Sequence, residues 1–154
     1  MSVQFKEDPK NKVVYAKIEN LGKITSRSIR QGFFMLGKDL KRTANKNILS
    51  KPKGGKVYIA RTRSGRRRRH RASAPGESHA NRSGMLRRSL GWKVNGSKSM
   101  EFGYGVDKPA PDYGKFVEDG TFKMKPRPSL AIAVKQTNRN SELYVGQMFE
   151  KLTR

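Results

Sequence analysis

The sequence predicts an α+β fold: a long N-terminal helix and a C-terminal helix packed on a small antiparallel sheet, with a protruding basic loop. Three observations carry that reading. Apolar residues recur at three-, four- and eight-residue steps from Leu21 to Ile48, the period of one helix face. Two alternating segments flank Asn95-Gly96, a strong hairpin turn. Between these regions the composition shifts abruptly to arginine. At 154 residues the chain suits one domain with a modest core, so residues 1–154 are read as a single domain and 61–82 as a flexible Arg-rich arm within it.

Residues 12–18, KVVYAKI, alternate β-branched and aromatic members and predict a short strand. The first helix is then expected over 21–49, with Leu21, Ile29, Phe33, Leu36, Leu40, Ala44 and Ile48 on one face. Gly22, Gly32 and Gly37 each cost it about 1 kcal/mol relative to Ala, so packing must hold it together. Phe34 and Met35 lie off the stripe and either widen the buried face or meet another subunit. Pro52 and Gly54-Gly55 end the helix, and KVYIA at 56–60 reads as a short strand.

The basic region follows. The whole chain carries 35 Lys plus Arg against 12 acidic residues, a formal charge of +23, which favours anionic partners. Residues 51–93 hold 14 Lys plus Arg against Glu77 alone, so over half of the net charge sits there. Residues 61–71 contain seven arginines and no acid, and such a run is expected to form a solvated arm. Arg61, Arg63, Arg66, Arg67, Arg68, Arg69 and Arg71 are therefore the candidate partner-binding residues. They suit phosphate contact, which Arg makes bidentately without reading bases, or docking on an acidic protein surface. A merely solubilising loop is the bland reading, but the cluster is denser than solubility requires. The run has no interleaved aromatics, so no base stacking is expected from it.

Beyond the arm, residues 83–90 predict a short helix with Met85, Leu86 and Leu90 inward. The segments 91–94 and 99–106 form the expected hairpin, with Met100, Phe102, Tyr104 and Val106 sharing its buried face. Tyr113, Phe116 and Val117 fall at one-turn spacing and suggest a short helix closed by Asp119-Gly120. Pro126 and Pro128 stiffen the next connector, and Ser129 is the expected N-cap of the last helix. That helix would face inward through Leu130, Ala131, Val134, Leu143, Val145, Met148, Phe149 and Leu152, with a kink at the polar run 137–142.

Catalysis is not expected. The chain has no Cys, and its two histidines, His70 and His79, read as surface residues. Glu118 and Asp119 are adjacent and diverge on a helix, so Glu118 is assigned to an Arg pair or a turn cap rather than a carboxylate dyad. No metal or cofactor is implied. No run approaches the roughly 18 apolar residues of a membrane span, and the first ten residues lack a leader's apolar segment, so a soluble, unprocessed chain with no membrane partner is expected.

Four motifs in order add a resemblance: Ala74-Pro75-Gly76-Glu77; Ser83-Gly84-Met85-Leu86-Arg87-Arg88-Ser89; Tyr113-Gly114-Lys115-Phe116-Val117-Glu118-Asp119-Gly120-Thr121; and Pro128-Ser129-Leu130. Over about residues 70–134 the chain resembles the minor tail component family of tailed bacteriophages, neck or tail-completion proteins of the head–tail junction. It departs from the pattern at Gly114, where Ala is usual, in the Arg-rich sequence before the loop and in a short polar run near Asn138 inside the last helix. The resemblance implies a structural virion protein, assembled in the host cytoplasm and resident in the neck or tail. It further implies an oligomeric ring around the DNA channel, touching head-connector and tail proteins. Tyr113, Phe116, Val117, Glu118, Gly120, Thr121, Pro128 and Leu130 would carry subunit packing, and the arginines would face genomic DNA or an acidic neighbouring ring. A general nucleic-acid-binding protein acting through its Arg-rich arm is the alternative.

Overall fold

The computed structural model describes residues 12–153. Helix α1 spans Lys12–Leu49, so the strand expected at 12–18 is instead the start of a continuous helix. Among the described residues no strand pairs with this segment, and β-branching alone does not make one. Strands β1 (Val57–Arg61) and β2 (Arg67–Arg71) form one antiparallel hairpin. After them come α2 (Met85–Arg88), β3 (Leu90–Asn95), β4 (Ser99–Tyr104), α3 (Tyr113–Asp119) and α4 (Ser129–Thr153). The chain is α+β as expected, and the described residues form two separate two-stranded sheets rather than one.

Alternation places the core. In the β3–β4 hairpin Leu90 opposes Tyr104, Trp92 opposes Phe102 and Val94 opposes Met100, giving one apolar face. Gly96 makes the turn at φ 65, a conformation that suits glycine. Ala44 of α1, Leu90 of β3 and Ala133 of α4 are fully buried together, with Phe102, Tyr104 and Leu130 packed around them. Leu40 and Ile48 extend that line along α1, and Leu86 adds the α2 side. Each fully buried Leu or Ile stabilises the fold by about 2 kcal/mol, so this core is real but small.

Glycine is required where α1 meets the sheet. A Cβ at Gly37 would collide with the indole of Trp92, which lies directly on the helix backbone. Phe34 meets that ring edge-on at 5.7 Å and Lys41 Nζ sits 5.2 Å from its centroid. Trp92 thus keys α1 to β3.

The inward faces of the helices differ from expectation in places. Leu21 is 60% exposed, and Ile24 beside it is exposed too. Met85 points to solvent while Leu86 is buried, since a one-turn helix can turn only one of two adjacent side chains inward. On α4 the buried line is Ala133 and Thr137, flanked by Leu130, whereas Ala131, Val134 and Leu143 face out. No break interrupts α4 at 137–142, and α1 braces it there: Asn47 donates to Gln136 at 2.7 Å and the Tyr144 hydroxyl donates to Asp39. The side-chain placements expected at Val145, Met148, Phe149 and Leu152, and the reading of the first ten residues, lie outside the described residues. Among the described residues no helix is long and apolar enough to cross a membrane.

Candidate functional site

The arginine run is not an irregular arm: it is half of a β-hairpin. Arg67 pairs with Arg61, Arg68 with Ala60, Arg69 with Ile59, His70 with Tyr58 and Arg71 with Val57. A strand needs only backbone partners, so β2 forms without burying any of its guanidinium groups. Arg61, Arg67, Arg69 and Arg71 fall on one ribbon face by register, and Arg68 and His70 on the other. Arg63 and Arg66 flank the connecting turn, where Gly65 has φ 79. All seven predicted arginines are exposed. The ribbon is tied to the body at its base: Gly55 N donates to Ala72 O at 3.0 Å, Ala72 N to Lys56 O at 2.9 Å, and Arg71 Nη1 to Lys53 O at 3.4 Å.

Between hairpin and body lies an open groove of about 1330 Å³. Arg61, Arg63, Arg68, Arg69 and Arg71 line one wall, and Lys51, Lys53, Arg82, Arg87 and Arg127 line the other. Among the described residues ten cations and no carboxylate face it. Tyr58 and His70, edge-to-face at 5.2 Å, and Tyr113 lie on the same surface. The arginine run lacks interleaved aromatics, but folding brings these beside it. Partial burial and the nearby charges of Arg82, Arg68 and Lys51 hold the His70 imidazole below its ordinary range, keeping it neutral. Sequence reasoning missed the second wall. Its signal was present, since four of those five residues belong to the carboxylate-poor stretch 51–93, but only tertiary structure brings them opposite the hairpin.

The motif residues gather beneath this groove into a braced knot. Glu118, projecting from α3, accepts hydrogen bonds from Ser129 N at 3.0 Å, Leu130 N at 2.7 Å and Ala131 N at 3.2 Å. It is therefore the cap of α4, satisfying three N–H groups that a helix start leaves unpaired. Burial pushes its carboxyl above the usual carboxylate range despite those donors, and neighbouring Asp119 adds to the push. Ser129, the expected cap, is instead buried inside the first turn, where its Oγ accepts from His79 N at 3.0 Å and pairs with His79 Nδ1 at 2.8 Å. The Tyr104 hydroxyl approaches that same nitrogen at 3.3 Å. His79 is thus a buried structural residue, not a surface one: desolvation, helped by Lys53, lowers its pKa to about 4.

The Ala-Pro-Gly-Glu loop joins the knot. Glu77 accepts from Ala74 N at 2.9 Å and Gly54 N at 3.0 Å, bonds that hold its carboxyl below the ordinary range, and Gly76 N donates to Pro126 O at 3.0 Å. Arg127 clamps two segments, its N–H donating to Val117 O at 2.9 Å and its Nε to Ser73 O at 3.2 Å. At Gly114 a Cβ would come within 2.9 Å of Leu86 Cδ1, so α3 sits directly on α2. Gly120 closes α3 at φ 82 and ψ −178, and Thr121 bridges to Met124. Pro128 O accepts from Ile132 N, and Leu130 packs at the core. Tyr113 and Phe116 turn outward, as does Phe122 at the turn tip, which is fully exposed. Among the described residues no cluster of His, Asp and Glu is placed to hold a metal. No protein-family profile, curated protein or solved structure matches the chain.

Proposed function

We propose that this chain is a structural virion protein of a phage neck or tail, which completes the tail and enables head–tail joining as a subunit of a ring around the DNA channel. One observation carries the reading. The motif segments spend their polar groups on bracing one another, through Glu118, Ser129, His79 and Arg127, while Tyr113, Phe116 and Phe122 stand exposed on that rigid support. Exposed aromatics on a pre-organised base are what a subunit contact needs, since little ordering remains to be done on association. Ring contacts are heterologous and close by rotation, which also accommodates a subunit with a small core. Head-connector and tail proteins are the neighbours in this reading, and the hairpin faces phosphates of genomic DNA or an acidic surface of the adjoining ring. The role is assembly rather than catalysis.

The test is electron microscopy of lysates from a phage whose copy of this gene carries an early stop codon. DNA-filled heads beside separate tails are expected; intact infectious particles would overturn the reading. A second reading, non-sequence-specific nucleic-acid binding as the whole function, is favoured by the carboxylate-free hairpin and groove. Replacing Arg66, Arg67, Arg68 and Arg69 by Gln weakens DNA binding under both readings. Only under the second does Gly120→Val leave function intact.

A further inference from the structure

We propose that the groove between the β1–β2 hairpin and the body seats one phosphodiester strand, gripped by cations from both walls rather than by the hairpin alone. The inference rests on the reading of the hairpin as a phosphate contact and adds the wall that reading leaves out. Four observations support it. Among the described residues the opposed walls carry five cations each and no carboxylate. Like charges facing one another across a groove repel, so the arrangement is stabilised when an anion lies between them.

Three of the five body-wall cations also lack a carboxylate partner among the described residues. Among the described residues Lys51, Arg82 and Arg87 make no ion pair, and Arg87 Nε is buried without a hydrogen-bond partner. The described ion pairs of the molecule lie elsewhere, at Glu19, Asp39 and Asp107. Lys53, whose Nζ already donates to Asn47 O at 2.7 Å, helps to hold the floor in place.

The groove's chemistry indicates its occupant. Arg61, Arg63, Arg68, Arg69 and Arg71 of the hairpin all line it, so more than one phosphate of a strand can find a guanidinium partner there. Tyr58 and His70 add ring faces beside the cations, the combination that binds nucleic acid by backbone charge and base stacking without reading sequence. A strand of single-stranded nucleic acid and one strand's phosphate row on a duplex present the same chemistry to the two walls.

The experiment compares the full chain with two charge-matched variants, using oligonucleotides of about 12 residues, single-stranded and duplex, over a salt series. Lys51→Gln with Arg82→Gln removes two exposed body-wall cations. Lys98→Gln with Lys108→Gln removes two exposed cations outside the groove. The groove pair should lose roughly tenfold in affinity or more at low salt. Its slope of log affinity against log salt should become shallower by about 1.4 on the single strand, or about 1.8 on the duplex. The outside pair should leave the slope unchanged. Tenfold or greater preference for the single strand identifies a free strand as occupant, and equal binding identifies the duplex backbone.

Equal losses from both pairs would overturn the seat and leave only diffuse attraction. Loss in an Arg66–Arg69 quadruple Gln variant with none in the groove pair would also overturn it while preserving the hairpin reading; no loss in either would end both. Tighter capture of a poly-glutamate peptide than of a charge-matched oligonucleotide would make the groove a protein-docking surface instead.

Discussion

His79 shows how much a single buried ring can contribute. Its imidazole stays neutral in the fold with pKa about 4, against an ordinary 6.5 in the unfolded chain. Below pH 6.5 the unfolded state therefore binds the proton that the native state refuses, and stability falls as pH drops toward 4. The loss attributable to this ring is about 2 kcal/mol by pH 4.5. Glu118 pulls the opposite way: its raised pKa means that the native state takes up a proton first on acidification, and its contribution grows as pH falls through that window. Urea denaturation of the wild type and His79→Gln at pH 7 and 4.5 separates the two, because only the wild type carries the His79 term. Equal pH sensitivity in both proteins would rule it out. Glu118→Ala, which uncaps three N–H groups, should cost about 1–2 kcal/mol at neutral pH, measured in the same titration. Gly120→Val places a β-branched residue at φ 82, ψ −178, with its Cβ 2.8 Å from Met124 O, and should cost about 1–3 kcal/mol or more. The stop at Gly120 was legible from Asp-Gly after an apolar turn. The burial of His79 was not, because it depends on where a helix begins 50 residues later.

Among the elements, local period was readable and long-range partnering was not. The hairpin at Asn95-Gly96 appears with Met100, Phe102 and Tyr104 on the face expected from their alternation, because turn and pattern are both local, whereas Val106 falls beyond β4, which stops at Tyr104 before Gly105 at φ 88. Strand β1 was visible in Val57, Tyr58 and Ile59, yet β2 was hidden: RRRHR has no apolar alternation and pairs only through its backbone. The inward face of α4 shifted from Val134 to Ala133, since α1 approaches closely enough to select the small residue. Gly37 gives a test of that packing logic. Ala there raises helix propensity by about 1 kcal/mol yet displaces the Trp92 ring, and overpacking costs about 1–3 kcal/mol. Gly37→Ala should therefore be destabilised by up to about 2 kcal/mol, lowering the melting temperature by up to roughly 8 °C, and should shift tryptophan emission to the red. A stabilised variant with unchanged emission would show that Trp92 does not key α1 to the sheet.

For the whole molecule, charge governs association. Copies carrying +23 repel at low ionic strength, so any ring must form against that field. Raising salt from about 50 to about 500 mM shortens the screening length severalfold and should shift sedimentation from monomer toward oligomer, as should added polyphosphate. A monomer under every condition would count against the ring. Another consequence follows from α1 lying against α4. The Asn47–Gln136 and Asp39–Tyr144 contacts join residues 89 and 105 positions apart. At about 5–20 residues per second of synthesis, roughly 5–20 s separate the emergence of α1 from that of the helix that covers it. Through that interval the part of the α1 face that α4 covers stays open, while the whole arginine ribbon has already been synthesised near ribosomal RNA. Protection of α1 from protease on stalled ribosomes should appear only after Tyr144 has left the exit tunnel, and RNA should travel with the newly made protein until salt removes it.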